Sequence, residues 1–193
     1  MRVLVVAEGR HELGGALELL IRRLATQPLE CSFERVSHGN IHVHRGKGRE
    51  YFKKAIRWML EAEKRDFDGV VLVIDQDNYP ERKRELDDAQ QHVQITSIPR
   101  ALGVAIRSFD AWMLADERAL ASVLQCAVSA APAPEEINDP KGFCATVLRK
   151  SGRDLSQTEM YAAVARTAEI SLLMRRCPHG FAPFADRVRK LQT

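Results

Sequence analysis

The 193-residue chain has no CxxC pair, and its four cysteines, Cys31, Cys126, Cys144 and Cys177, stand far apart. That spacing argues against structural zinc and thioredoxin-type chemistry, and four free thiols are expected in a reducing compartment. The longest apolar runs, such as Val70 to Ile74, reach only about six residues, well short of the roughly 18 of a membrane span. An acid, Glu8, falls where the apolar part of a secretory leader would run, so a cytoplasmic location is expected and no membrane partner. No GxxxxGK[ST] segment occurs, so any use of ATP would need another subunit. Charge of one sign is scarce: 29 basic and 26 acidic groups leave a net charge of +3, too small to identify a nucleic-acid partner alone. What remains is an ordinary globular mixture, 45% apolar and 28% charged, without repeats or low-complexity tracts.

The length fits one domain with a small appendage. Arg2 to Ala7 is a continuous apolar run with β-branched residues, as in a buried parallel strand. Leu13, Leu17, Leu20, Ile21 and Leu24 then recur at helical spacing, and Pro28 ends that helix. Cys31 to Ser37 alternates weakly as a strand. His38 to Gly48 is a glycine-broken loop. Glu50 to Arg65 is an amphipathic helix whose apolar face carries Phe52, Ile56, Met59 and Leu60. Val70 to Ile74 is the clearest strand, and after it Pro80 opens a charged helix. There Arg82, Lys83 and Arg84 lie among Glu81, Glu85, Asp87 and Asp88, the pattern of a self-paired surface. Ile95 to Pro99 and Gly103 to Ile106 are further strand candidates.

Ser108 is positioned as N-cap of a helix over FDAWMLAD, with Trp112 and Met113 in the core, and Asp116 as cap of the next helix over Glu117 to Gln125. Asp139-Pro140 is a helix start, and Ser156 with Glu159 forms a capping-box pattern. Alternating strands and helices followed by helices alone predict an α/β fold, a mostly parallel Rossmann-like sheet with a helical C-terminal cap. The expected division is an α/β domain over residues 1–125 and a helical extension over 126–193 packed on it.

In such a sheet, ligands bind outside the carboxyl ends of the strands. Glu8-Gly9 follows the first strand, Asp75 and Asp77 follow the third, and Asp110 lies just beyond the fourth candidate. Carboxylates gathered at one edge repel each other unless a cation neutralises them, and oxygen-only ligands favour magnesium or manganese over zinc. The competing reading of Asp75-Gln76-Asp77-Asn78 is a strand-to-helix turn, and Glu12 also suits the first turn of a helix as a dipole-compensating acid. His42 and His44 form an HxH pair with no third ligand at convincing spacing. Arg45, Lys47 and Arg49 mark the glycine-broken loop as either a phosphate-binding or a solvated segment.

A strand ending in Glu-Gly, a helix, and a later strand ending in Asp-x-Asp resemble a TOPRIM domain, the module of topoisomerases, primases and OLD-type nucleases. AEGRHE, HRGKG, VLVIDQD, IRSFDAWMLAD and NDPKGF, in this order, resemble the bacterial TOPRIM-like family called domain of unknown function 4276. The resemblance implies that Glu8, Asp75 and Asp77 surround Mg2+ or Mn2+ in a metal-dependent nuclease. Glu12 and Asp110 would hold or orient a second ion, and Lys141 would meet developing negative charge. The family segment Glu-x-Glu-Ala-Trp reads Ser108-Phe109-Asp110-Ala111-Trp112 here, with one acid lost and the other shortened. The resemblance also implies a setting in bacterial genome defence beside a separately encoded ATPase, with nucleic acid as substrate; self-association into a homo-oligomer stays open. A catalytically silent TOPRIM-like module that binds nucleic acid or a partner protein is the alternative. A haloacid-dehalogenase phosphatase is disfavoured because its Asp-x-Asp follows the first strand. A nucleotide-sugar transferase is disfavoured by chain length.

Overall fold

A computed structural model describes residues 1–9, 11–37 and 49–192. Four parallel strands, β1 (Arg2–Ala7), β2 (Glu30–Arg35), β3 (Gly69–Asp75) and β4 (Arg100–Ala105), form one sheet in the order β2-β1-β3-β4. The chain thus forms the α/β fold its alternation predicts, with helices on both faces. Every residue of β4 and the first six of β3 are buried. Strands covered on both faces need apolar residues at every position rather than every second one.

Alternate side chains feed two cores. Leu4, Val6, Val70, Leu72, Ile74, Leu102 and Val104 point to α2 (Glu50–Lys64) and α3 (Glu81–Gln91). Val3, Val5, Ala7, Val71, Val73, Ala101 and Ala105 point to the opposite face. That face is covered by α1 (Leu17–Leu24), the short α4 (Asp110–Met113), α5 (Glu117–Leu124), α7 (Gln157–Thr167) and α9 (Phe181–Arg189). Two further helices, α6 (Pro140–Ser151) and α8 (Ile170–Arg176), complete the C-terminal third, and Cys144 and Leu173 from them enter the same core. Trp112 is fully buried against Phe109, Phe181 and Phe184. All four cysteines are free. Among the described residues no helix is long and apolar enough to cross a membrane.

Helix starts follow the local chemistry at three places. Asp116 accepts from the N–H groups of Arg118 (3.1 Å) and Ala119 (3.0 Å) at the head of α5. Asp139 Oδ1 accepts from Gly142 N–H at 2.8 Å, with Pro140 opening α6. Ser156 and Glu159 close a capping box on α7. Other expectations need correction. Ile95 to Pro99 is not a strand. The buried Arg100 guanidinium takes the carbonyls of His92 (2.6 Å), Thr96 (2.6 Å) and Ile98 (3.1 Å), so this connection wraps a side chain and joins β3 only at Pro99, whose carbonyl accepts from Val70 N–H at 2.9 Å. Ser108 does not cap α4: its Oγ donates to Asp110 Oδ2 at 2.8 Å. Leu60 is 41% exposed, whereas Ala55, Trp58 and Ala62 of α2 are buried. The segment before α1, Glu12–Ala16, is a π-type turn broken at Gly14 and at Gly15, whose φ of +107° suits glycine.

Helix α9 lies directly on β4, with the Phe184 ring over Gly103; a Cβ added there would stand 2.6 Å from Phe184 Cδ2. Gly103→Ala is therefore expected to overpack this contact and lower unfolding stability by about 1–3 kcal/mol, read from the urea midpoint.

Candidate functional site

Strand β1 is continued to β2 on one side of the sheet, and β3 lies on its other side, so the topological switch point falls between β1 and β3. Crevices at such points are where open α/β sheets bind ligands. Glu8 follows β1, and Asp75 is the last residue of β3. An open cleft of about 300 Å³ lies there, lined among others by His11, Glu12, Asp75, Asp77, Arg107, Asp110, Lys141 and Tyr161.

The floor of the cleft is shaped by backbone. The N–H groups of Gln76 and Asp77 donate to the carbonyls of Ala105 and Arg107, each at 2.9 Å, and tie together the segments that leave β3 and β4. Asp77 and Arg107 both adopt left-handed conformations, φ +51° and +62°. Aspartate tolerates this region better than most residues. Phe109 N–H donates to Asp75 Oδ1 at 2.8 Å, fixing the carboxyl against the start of α4.

Glu8 is held on both oxygens. Tyr51 OH donates to Oε1 at 2.8 Å and the Asp75 N–H to Oε2 at 3.1 Å. Glu12 is buried, its carboxylate folded back over Gly9, where a Cβ would stand 2.1 Å from Oε2. The Glu8-Gly9 step thus leaves room for a second acid from the same turn. Asp110 is buried too. Its Oδ1 accepts from Tyr161 OH and from Gln157 Nε2 (3.0 Å), and its Oδ2 from Ser108 Oγ (2.8 Å). Asp77 is half-exposed, and its Oδ2 accepts from Arg82 Nη1 at 2.5 Å.

Burial, followed by the charge of Glu12, pushes the Asp75 carboxyl up to about 8, with Glu8 and Asp110 adding to the rise. Burial also raises Glu12, and Asp110 and Glu8 raise it further, while Lys141 pulls it down. Lys141 is exposed at the rim of the cleft. Four acids from three strand ends therefore share one electrostatic environment.

The donors fit a hard divalent cation in kind, since all are carboxylate oxygens, and the crowding that raises Asp75 is what such a cation relieves. In position they are separate: among the described residues no three His, Cys, Asp or Glu side chains form a group able to hold one metal ion. Glu8, Asp77 and Asp110 are each engaged by the protein's own donors.

Arg45 and Lys47, like His42 and His44, lie outside the described residues. Arg49 precedes α2, pairs with Asp88 at 2.7 Å and stacks over Phe52. The charged helix α3 departs from the self-paired expectation. Arg82 turns toward the end of β3 and Glu8, and Glu85 accepts from the N–H groups of Tyr51 (2.8 Å) and Phe52 (3.3 Å) at the head of α2. Lys83 does pair locally, with Asp87 at 2.6 Å. Sequence reasoning also missed Tyr51, His11 and Tyr161. His11 Nδ1 shares a 2.8 Å hydrogen bond with Thr158 Oγ1. Of these residues only His11 carried a local signal, its place inside AEGRHE.

Residues 8–189 match the family described as Domain of unknown function (DUF4276). The chain belongs to the DUF4276 family. Neither the search of curated proteins nor that of solved structures returns a match. The match to the DUF4276 family takes in every residue that lines the cleft, from Gly9 to Tyr161.

The raised Asp75 carboxyl has a stability consequence. Its ordinary value is 3.8 and its folded value about 8, so the folded state keeps a proton that the unfolded chain releases across this window. The contribution is full below about pH 4 and is lost as pH rises through about 8. Asp75→Asn, which needs no proton, should melt at least roughly 4 °C above the parent at pH 8.5 without divalent cations, using about 2–4 °C per kcal/mol. The gap should shrink toward pH 5, as read by thermal melts across pH.

Proposed function

We propose that this DUF4276 protein is a magnesium- or manganese-dependent phosphodiesterase acting on nucleic acid, a nuclease of the TOPRIM type. The observation that carries this reading is the Asp75 carboxyl, crowded by Glu12, Glu8 and Asp110 at the switch point of a parallel sheet. Packing alone gives no reason to gather acids there, since each buried carboxylate costs stability unless compensated.

Glu8, Asp75 and Asp77 would hold the ion, with Glu12 and Asp110 oriented toward a second. A bound divalent cation supplies a polarised phosphoryl oxygen and a water of lowered pKa. Lys141 and Arg107, which both line the cleft, would contribute positive charge that attracts a phosphodiester and compensates its non-bridging oxygens. The same reading carries the TOPRIM relationship, with a role in bacterial defence beside a separate ATPase.

A second reading is a catalytically silent module that binds nucleic acid or a partner protein. The separation of the acids favours it: Glu8, Asp77 and Asp110 are already satisfied by Tyr51, Arg82, Tyr161 and Gln157. The two readings part on chemistry. Labelled single- and double-stranded DNA and RNA are incubated with the protein and Mg2+ or Mn2+. The nuclease reading expects cleavage that chelator abolishes and that Asp75→Asn lowers by at least about a hundredfold, the scale of losing a charge-stabilising ligand. Binding without cleavage on all four substrates assigns the silent module.

A further inference from the structure

The side chain of Arg82 comes from the first turn of α3 and is only 15% exposed. One of its nitrogens, Nη1, is common to three oxygens. It donates to the Asp75 carbonyl at 2.8 Å and to Asp77 Oδ2 at 2.5 Å, and it stands 3.9 Å from Glu8 Oε2. The guanidinium is also flanked by aromatic rings, 4.6 Å from the Tyr51 centroid and 4.8 Å from that of Tyr79. Tyr51 is itself tied to the site, because its OH donates to the other oxygen of Glu8. Its backbone is tied to α3 by Glu85, one turn beyond Arg82. Tyr79, on the outer side, is 53% exposed.

An arginine whose purpose is to solubilise a helix points to water or to acids one turn away. Arg82 instead gives its charge to two carboxylates and a carbonyl from the ends of two different strands. Those three oxygens are the all-oxygen kind that a hard cation takes. We propose that Arg82 is a built-in counter-cation held between Glu8 and Asp77 at the edge of the cleft, so that a divalent cation takes these two acids only by displacing it. The proposal rests on the reading of these acids as a divalent-cation site. The planar, delocalised guanidinium suits the task, since it stacks and hydrogen-bonds at once where an ammonium does not. The exposed Tyr79 face is the side from which the latch opens, because Tyr51 is anchored on both its ring hydroxyl and its backbone.

The test is manganese(II) binding to the full chain by titration calorimetry. It compares the parent, Arg82→Gln, Tyr79→Ala and, as a control for net charge alone, the exposed Arg84→Gln. Arg82→Gln should bind manganese(II) at least about tenfold more tightly than the parent, the least expected from removing a full positive charge about 4 Å from the ligands. Arg84→Gln should stay within about twofold of the parent, because an exposed charge at longer range is screened. Tyr79→Ala leaves every acid and Arg82 in place and loosens only the stack; it should tighten binding by about two- to fivefold. It decides the matter if circular dichroism finds Arg82→Gln unfolded. Equal or weaker binding in Arg82→Gln, or in Tyr79→Ala where that variant decides, overturns the latch. Should the parent and these variants then bind equally well, the metal reading stands without it. If none of them binds, both fall. A tightening in Arg84→Gln equal to that in Arg82→Gln also overturns the latch, because bulk charge then accounts for the effect.

Discussion

Burial of the Asp75 carboxyl beside Glu12, Glu8 and Asp110 sets the constraint around which the cleft is organised. A parallel sheet brings strand ends together at the switch point, and here the ends of β1 and β3 deliver acids. Their mutual repulsion has three available compensations: a proton, a protein cation, or a metal ion. The chain itself supplies two. Burial and its acid neighbours push the Asp75 carboxyl up to about 8, which favours a proton there, and Arg82 lies against Asp77 and Glu8. The third is the chemistry proposed for the site, and the other two define what it must displace.

The rest of the fold holds this arrangement in place. Backbone bonds from Gln76 and Asp77 to Ala105 and Arg107 lock the exits of β3 and β4 together. Gly9 leaves room for Glu12 to fold back over the end of β1. The C-terminal helices form the second wall. Tyr161 and Gln157 of α7 hold Asp110, and Asp139 caps the helix that carries Lys141. Asp116 links two helices on that side, since it caps α5 and also accepts the Glu169 N–H at 2.8 Å.

Much of this architecture is legible in the linear sequence. The apolar runs at Arg2–Ala7 and Val70–Ile74 are strands because buried parallel strands need apolar residues at every position. Asp116, Asp139 and Ser156 are caps because their side-chain oxygens reach N–H groups two or three residues on, a purely local geometry. Local logic fails where a long-range partner takes over. Ile95–Pro99 has strand-like composition, but its surroundings belong to the Arg100 guanidinium. Ser108 is next to a helix, but it serves Asp110. Arg82 sits among acids on α3, but its partners come from other elements.

The sequence by itself determined the α/β class, the helix starts at Asp116, Asp139 and Ser156, and the delivery of Glu8, Asp75 and Asp77 to one sheet edge, since each depends on periodicity or on contacts within a few residues. Only the tertiary structure decided what surrounds those acids. Tyr51 reaches Glu8 across 43 positions and Tyr161 reaches Asp110 across 51, separations that no local pattern encodes. The direction in which Arg82 points is decided the same way, because a helical arginine has local and distant acids within reach. The choice falls to the burial and charge of the assembled cleft.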